Sequence, residues 1–304
     1  MKENQKIKEG VFYAFLTALV SGVSIFYSKA VVLKIDPLAL ATIRNLSVGL
    51  LFFIFLLSKS NFLSQIRQLK RKDWIFLTLV GITGGALPFY LFFSGLKLIP
   101  AQTANLIHKS LFIWVTILAT IFLKEKIKPI FWPAFVLIFL GNYYFSPFKF
   151  QFIQGEIMVL LATWFWATEN ILAKKVLKTV SSEILGFFRM TIGGFILFLL
   201  TVFFRQPTII FNLKFSQWQL ILPGIGLLFL YVFFWYKALK YAPVSLVAWI
   251  LTFSMVVGNI LNGVFAGLTI SQNEIYSSLL IFIAAGLIFL QIVYQQKSLN
   301  KLNG

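Results

Sequence analysis

The chain has 304 residues, of which 59% are hydrophobic, 18% are aromatic and only 12% are charged. Together with a mean hydropathy of +0.88, this composition excludes a soluble globular domain, which needs more polar residues to cover its surface. The formal charge of +18 does not indicate a nucleic-acid partner, because Lys and Arg lie mostly in short segments between hydrophobic runs. The absence of Cys excludes disulfides, thiolate catalysis and Cys-based metal sites.

Hydrophobic runs of spanning length predict ten transmembrane helices. Backbone polar groups in lipid must bond within their own segment, so we expect these runs to be helical. The predicted helices cover about residues 11–33, 38–58, 74–97, 101–123, 130–147, 155–178, 183–204, 217–240, 244–267 and 275–295. The predicted fold class is therefore all-α and integral to a membrane, with the first run retained as a helix and not cleaved as a signal peptide.

A unit of about half the chain length occurs twice. Five residues of the first half recur 145 positions later, namely Gly10, Lys29, Leu40, Arg44 and Gly49 at Gly155, Lys174, Leu185, Arg189 and Gly194. Each unit holds five predicted helices, and because five is odd the second unit must enter the membrane from the opposite side. The sequence therefore predicts two inverted five-helix repeats, residues 1–150 and 151–304.

The basic residues between the predicted helices indicate the orientation of the chain. If the N-terminus lies in the cytoplasm, most of these Lys and Arg residues fall on the cytoplasmic side of the membrane. This is the distribution that cytoplasmic loops normally show. Both termini are therefore predicted to be cytoplasmic.

Three sequence segments, in this order and spacing, resemble the EamA-type transporters of the drug/metabolite transporter superfamily. They are DPLALATIRNLSVGLL from Asp36, SGLKLIPAQTANLI from Ser94 with ATIFLKEKI ending at Ile127, and LATWFWATENILAKKVLK from Leu161, followed by the helix of Arg189. The resemblance implies a ten-helix carrier of two inverted repeats that exports metabolites or amino acids.

The chain also departs from the pattern of that family. Glu125 matches the Glu that the family carries after the fourth helix, but its counterpart in the second repeat is Leu268. The Pro often found midway along the fourth helix is missing from residues 110–112, and His108 and Lys109 stand where small or hydroxyl residues are more usual. These departures leave the substrate class open.

Two polar residues interrupt the predicted fourth helix. Lys109 lies about nine residues inside it, roughly 13 Å from the membrane boundary, where a charge must face water, a ligand or a counter-charge. Lys109 is therefore a candidate anion-binding residue or one partner of an internal ion pair. His108, the only histidine, lies about 100° round the helix and is either a proton relay or a hydrogen-bonded packing residue.

Glu169 is the only carboxylate deep in a predicted span, and such a group is a natural proton or cation site. Arg189, in the next helix, reaches a comparable depth, so an ion pair between them is an equal alternative, with Lys109 as a second candidate partner. For Arg44 and Arg189 a role in gating or pairing is also left open.

Two further residues are candidates for binding a solute. Trp166 precedes Glu169 by three residues and could hold a cationic or amphipathic solute against its ring, or simply pack. Asn259, in the ninth helix, could hydrogen-bond a solute or bridge two helices.

Together these features favour a secondary transporter of the plasma (inner) membrane that moves a small organic solute by alternating access. The predicted substrate-binding residues are Lys109, His108, Glu169, Trp166 and Asn259. The expected partners are the solute and the lipid bilayer, with a coupling proton or ion left open. No Walker loop, HExxH or GxSxG motif occurs, so neither an enzyme nor a bound cofactor or metal is predicted. The alternatives are facilitated diffusion without coupling, or a non-transporting membrane protein such as a lipid-handling enzyme or an assembly partner.

Overall fold

A computed structural model describes residues 3–60, 62–126, 129–145, 151–204, 208–265, 267 and 269–302. Almost all of the described chain is helical. The α-helices are α1 (Glu3–Val32), α2 (Pro37–Leu57), α3 (Phe62–Arg67), α4 (Arg71–Val80), α5 (Leu87–Leu98), α6 (Ala101–Lys109), α7 (Leu111–Leu118), α8 (Trp132–Phe145), α9 (Gln154–Val176), α10 (Ser182–Phe204), α11 (Thr208–Phe211), α12 (Phe215–Tyr241), α13 (Val244–Leu251), α14 (Ser254–Phe265) and α15 (Gln272–Leu302). Two π-helical segments, Gly81–Ala86 and Ala119–Leu123, and a 3₁₀ turn at Pro129–Phe131 complete the described helical elements.

Eight helical segments of the described chain are long and apolar enough to cross a membrane. They are Gln5–Val32, Pro37–Leu57, Arg71–Leu98, Ala101–Leu123, Ser182–Phe203, Phe215–Tyr241, Val244–Phe265 and Gln272–Gln291. The predicted fifth and sixth spans do not meet the same test. Helix α8 is described over 14 residues, and α9 carries Glu156, Glu169, Lys174 and Lys175. Eight of the ten predicted spans are thus supported by length and composition, and the other two stay predictions.

Helices of the two halves pack together in matching pairs. Helix α1 packs along α12, and α5 packs along α9. Because α9 is the counterpart of α1, and α12 that of α4 and α5, these two contacts are equivalent. Helix α2 packs on its own counterpart α10, and α8 on its counterpart α15. The repeat predicted from identical residues is therefore also present in the helix packing.

Two equivalent lysines make the same kind of contact in the two halves. The last carbonyls of a helix have no donor inside the helix and need one from elsewhere. Each lysine donates from Nζ to two such carbonyls at the end of the neighbouring helix. The acceptors are Leu96 O at 2.8 Å and Ile99 O at 2.7 Å for Lys29, and Leu239 O at 2.5 Å and Ala242 O at 2.7 Å for Lys174.

The fourth and ninth spans, predicted as continuous helices, are both interrupted. Helix α6 ends at Lys109 and α7 begins at Leu111, while α13 ends at Leu251 and α14 begins at Ser254. At each break a hydroxyl donates to the carbonyl three residues earlier, from Ser110 to Ile107 at 2.7 Å and from Thr252 to Trp249 at 2.6 Å. Such local bonds compete with the helical ladder, so the helices break without a proline.

Candidate functional site

A cavity lies between helices of both repeats, near the middle of the helical spans. It contains about 550 Å³ of empty space, counting space that is open to solvent. Its wall consists of residues from α1, α2, α5 and α6 of the first repeat and from α9, α10 and α12 of the second. Three kinds of side chain meet there, namely aromatic rings, serine hydroxyls and two arginines.

Arg44 of α2 is the cation on the first-repeat side of the cavity. Its side chain is buried, with 1% of the residue exposed. Nη1 donates to Ser28 Oγ at 2.8 Å, whereas Nε and Nη2 have no partner in the described protein. The Cζ atom lies 5.4 Å from the centroid of the Phe93 ring. A Cβ at residue 224 would overlap the guanidinium, so Gly224 provides the space that Arg44 occupies.

The π-helical segment Gly81–Ala86 supplies a free backbone carbonyl to the other side of the cavity. An α-helical bond to Gly84 O would need the N–H of residue 88, which Pro88 lacks. Gly84 O instead accepts from Trp166 Nε1 and from Arg189 Nη2, both at 3.1 Å. This carbonyl therefore fixes two side chains of the second repeat.

Glu169 and Arg189 meet beside Gly84 without forming a direct ion pair. Both side chains border the position that a Cβ at residue 84 would take. Among the described residues, the ion pairs within 4.0 Å involve Glu183 and not Glu169. Glu169 Oε1 instead accepts from Tyr236 Oη at 2.6 Å. The sequence analysis left open a direct ion pair between Glu169 and either Arg189 or Lys109. In the part of the chain that the structure describes, neither pair lies within 4.0 Å.

A smaller cavity, with about 190 Å³ of empty space when space open to solvent is counted, adjoins the large one. Glu169 lines it, and His108, Trp166, Arg189 and Tyr231 line both cavities. The ring centroid of His108 lies 5.0 Å from that of Trp166. These four side chains therefore separate the carboxylate of Glu169 from the larger space.

Lys109 lies behind His108 and does not line either of these two cavities. Its Nζ donates to Ser21 Oγ at 3.1 Å and lies 3.3 Å from His108 Nδ1. When Lys109 is charged it can only donate, so Nδ1 then accepts and the neutral ring carries its proton on Nε2. Lys109 is buried, with 1% of the residue exposed, and its amine contacts Ser21 and His108. Its depth in the membrane stays a prediction.

The five predicted site residues are thus only partly brought together. His108 and Trp166 lie on the wall, Glu169 lies in the smaller cavity, and Lys109 is one side chain away. Asn259 is buried elsewhere, on α14, where Nδ2 donates to Ser278 Oγ of α15 at 3.1 Å. Its place between two helices fits the bridging alternative.

Sequence reasoning missed three features of the site. No sequence pattern indicated a role in binding for Ser28, for Tyr236 or for the free donors of Arg44. The one signal for Arg44 was its identity with Arg189 across the repeat. The contact of Tyr236 with Glu169 joins residues 67 positions apart and has no local signal.

Glu125 joins the two repeats outside the cavity. Its Oε1 accepts from the backbone N–H of Val244 at 2.8 Å, and its Oε2 accepts from Ser245 N at 3.2 Å and Ser245 Oγ at 2.8 Å. These N–H groups belong to the first turn of α13, which has no internal acceptor for them. Glu125 of the first repeat therefore caps a helix of the second.

Known proteins similar to this chain agree with that architecture. One crystal structure, described only as the structure of a protein, superposes on this chain with a TM-score of 0.73. The superposition covers 95% of this chain and 99% of the other at 16% sequence identity, which shows a shared fold. An uncharacterized transporter of Synechocystis sp. is 27% identical over 150 residues, covering 46% of this chain. An uncharacterized transporter of Methanothermobacter thermautotrophicus is 21% identical over 206 residues, covering 62% of this chain. The matches span 43% and 60% of the length of these two relatives.

The repeat itself is recognised as a family unit. The EamA-like transporter family matches residues 8–146 and, a second time, residues 153–290. The two matches cover most of the chain and coincide with the halves that the helix packing relates. The chain therefore belongs to the EamA-like transporter family of the drug/metabolite transporter superfamily, and it is a multi-pass membrane protein from a family of transporters.

Proposed function

We propose that this chain is a secondary transporter that carries a small organic solute by alternating access and exports it across the plasma (inner) membrane. The observation that carries the proposal is the cavity whose wall is shared between the two repeats. Movement of one repeat against the other would expose such a cavity to each side of the membrane in turn. The proposal includes ten spans, inverted repeats at residues 1–150 and 151–304, and cytoplasmic termini.

The interrupted helices support this mechanism. Carriers built from inverted repeats typically bind their solute beside broken helices at the repeat interface. Here the breaks at Ser110 and Thr252 occupy related positions in the two halves, and His108 lies next to the first of them. The half-helices on either side of each break can then move separately.

Within this proposal the predicted residues have distinct roles. His108 and Trp166 contact the solute as part of the cavity wall, and Lys109 positions His108. Glu169 is the site of a coupling proton, because it borders its own small cavity and forms no direct ion pair in the described chain. Asn259 holds α14 against α15.

The absence of native cysteine makes a direct test of alternating access straightforward. We expect Ser24→Cys, on the cavity wall, to react with a membrane-impermeant maleimide added to either side of oriented proteoliposomes. Ser58→Cys, at the exposed end of α2, should react from one side only and is the matched control. Reaction of Ser24→Cys from a single side, or from neither, would contradict the proposed mechanism.

A further inference from the structure

Arg44 is a buried cation for which the described protein provides no counter-ion. The two ion pairs within 4.0 Å that are found in the described chain are Lys59 with Glu183 and Lys237 with Glu183. Burying a charge without a partner is costly, so an arginine of this kind persists when something other than the protein balances it.

Most of the nine carboxylates of the chain accept hydrogen bonds from groups other than Arg44. Seven of them accept hydrogen bonds from other groups, and none of these donors belongs to Arg44. They are Asp36, Asp73, Glu125, Glu156, Glu169, Glu183 and Glu274. Among the residues that the structure describes, no carboxylate lines the larger cavity. The balancing charge is therefore expected to enter the cavity with a ligand.

The free donors of Arg44 have a defined geometry. Nε and Nη2 lie on one edge of the guanidinium, and both lack a partner. Two parallel N–H groups on that edge match the two oxygens of a carboxylate. Ser28 holds Nη1 on the other side, and Phe93 and Gly224 pack against the group, so the edge is preorganised.

The remainder of the cavity fits an apolar body. Phe89, Phe92, Phe93 and Trp166 form most of its aromatic wall. Arg189 also has two donors without a partner, Nε and Nη1, but they lie on different edges of the guanidinium because Nη2 bonds Gly84 O, and Glu169 lies beside it. The amine of Lys109 bonds Ser21.

We propose that Arg44 binds a carboxylate of the transported solute through Nε and Nη2, and that the substrate is an organic carboxylate with an apolar or aromatic body. This inference rests on the proposed transport function, because it names the substrate class of the same cavity. Ser28 is a positioning residue that orients the guanidinium.

The test compares acids with amides of the same shape. Binding to the purified full chain in lipid nanodiscs is measured for benzoate and benzamide, 3-phenylpropanoate and its amide, and L-phenylalanine and its amide. We expect at least one acid to bind at least about tenfold more tightly than its amide, because two charge-assisted hydrogen bonds are lost in the amide. Arg44→Lys should remove most of this preference, since Lys cannot form the two-donor fork.

Two further variants keep the test decisive if Arg44→Lys fails to fold. Ser28→Ala should weaken acid binding about fivefold and leave amide binding unchanged, which a general loss of structure would not do. Lys109 is a buried cation that does not line the cavity, so Lys109→Gln should keep the acid preference. The inference is overturned if no acid binds better than its amide, or if Lys109→Gln and not the Arg44 and Ser28 variants removes the preference.

The two proposals fail in different ways. Labelling of Ser24→Cys from both sides without any acid preference would leave the transport proposal standing and reject the carboxylate. If acid binding depends on Arg44 but Ser24→Cys is labelled from one side only, the carboxylate inference would stand and the transport proposal would be rejected.

Discussion

Lys109 and Arg44 are equally buried, with 1% of each residue exposed, but they are used differently. The amine of Lys109 lies near the end of α6, and its donors are directed at Ser21 Oγ and His108 Nδ1. The negative end of the α6 dipole also favours a cation there. Arg44 has one bonded nitrogen and a free edge. Burial alone therefore does not identify the residue that is available to a ligand.

Glu169 provides a test of ion coupling at the level of one side chain. We expect Glu169→Gln to bind the preferred carboxylate probe and exchange it, but to lose accumulation driven by a pH gradient. The amide keeps an oxygen that can accept from Tyr236 Oη but cannot carry the charge that exchanges a proton. The measurement is uptake into proteoliposomes with and without the gradient.

Tyr236→Phe is the matched control for that variant. It removes the 2.6 Å hydrogen bond but leaves the carboxylate, so gradient-driven accumulation should persist. Full accumulation by Glu169→Gln would assign the coupling to another group, or would favour facilitated diffusion.

The positions of the site residues along the predicted helices could be read from the sequence, but the directions of their side chains could not. The position of Lys109 along its helix predicts that it lies near the midplane. The direction of its amine depends on the break at Ser110 and on the hydroxyl of Ser21, which is 88 positions away in the chain. The free edge of Arg44 likewise depends on Gly224, from a helix of the other repeat. Contacts between distant helices set these directions, and no local pattern encodes them.

At the level of elements, the third span bonds neighbouring helices through its own backbone carbonyls. The segment Gly81–Ala86 widens to a π-helix ahead of Pro88, and Gly84 O leaves the ladder to accept from Trp166 and Arg189. Asn45 of α2 donates to the next carbonyl, that of Gly85. Both carbonyls face helices that form the cavity, so the irregular segment connects α2, α9 and α10.

We expect Gly84→Ala to destabilise the protein by about 1–3 kcal/mol and to lower its Tm, because the added methyl would overlap Glu169 and lie about 2.9 Å from Arg189 Nε. The measurement is thermal unfolding of the purified protein.

Gly226→Ala in α12 is the matched control, since no atom lies within 4 Å of its added Cβ. That change should be neutral or stabilise the helix by up to about 1 kcal/mol. Equal Tm values for the two variants would show that the space at Gly84 is not needed.

The sequence analysis missed the breaks of the fourth and ninth spans. Ser110 and Thr252 are ordinary in membrane helices, because a hydroxyl can also bond its own helix without breaking it. Whether it does so depends on packing against other helices. No local sequence pattern therefore distinguishes these breaks from a continuous helix.

At the level of the whole molecule, the repeat is visible in single hydrogen bonds. Lys29→Met and Lys174→Met should each destabilise the protein by about 1–3 kcal/mol, since each removes two bonds to helix-end carbonyls. We expect the two changes in Tm to agree, because the lost contacts are equivalent.

Lys97→Met, at an exposed lysine at the end of α5, is the control and should change stability by less than about 0.5 kcal/mol. A large effect of only one of the Lys29 and Lys174 variants would show that the two contacts do not contribute equally to stability.

Fold class and repeat were the most predictable properties of the chain. Long apolar runs in lipid allow little except helices, and identical residues at a constant offset survive small errors in helix boundaries. The family match over residues 8–146 and 153–290 confirms the recognition made from these patterns. Helix α9 is harder to identify from its hydropathy, because it carries charged side chains, and two of them, Glu156 and Glu169, are buried.

Arg44 and Arg189 occupy the same position in the two repeats but have different surroundings. Ser28 stands beside Arg44, whereas the residue equivalent to Ser28 in the second repeat is Ala173. Arg44 has an edge of the guanidinium, Nε and Nη2, without a partner, whereas Nη2 of Arg189 bonds Gly84 O near a carboxylate. One residue at one position of the repeat therefore has two environments, so the symmetry of the sequence does not extend to the chemistry of the site.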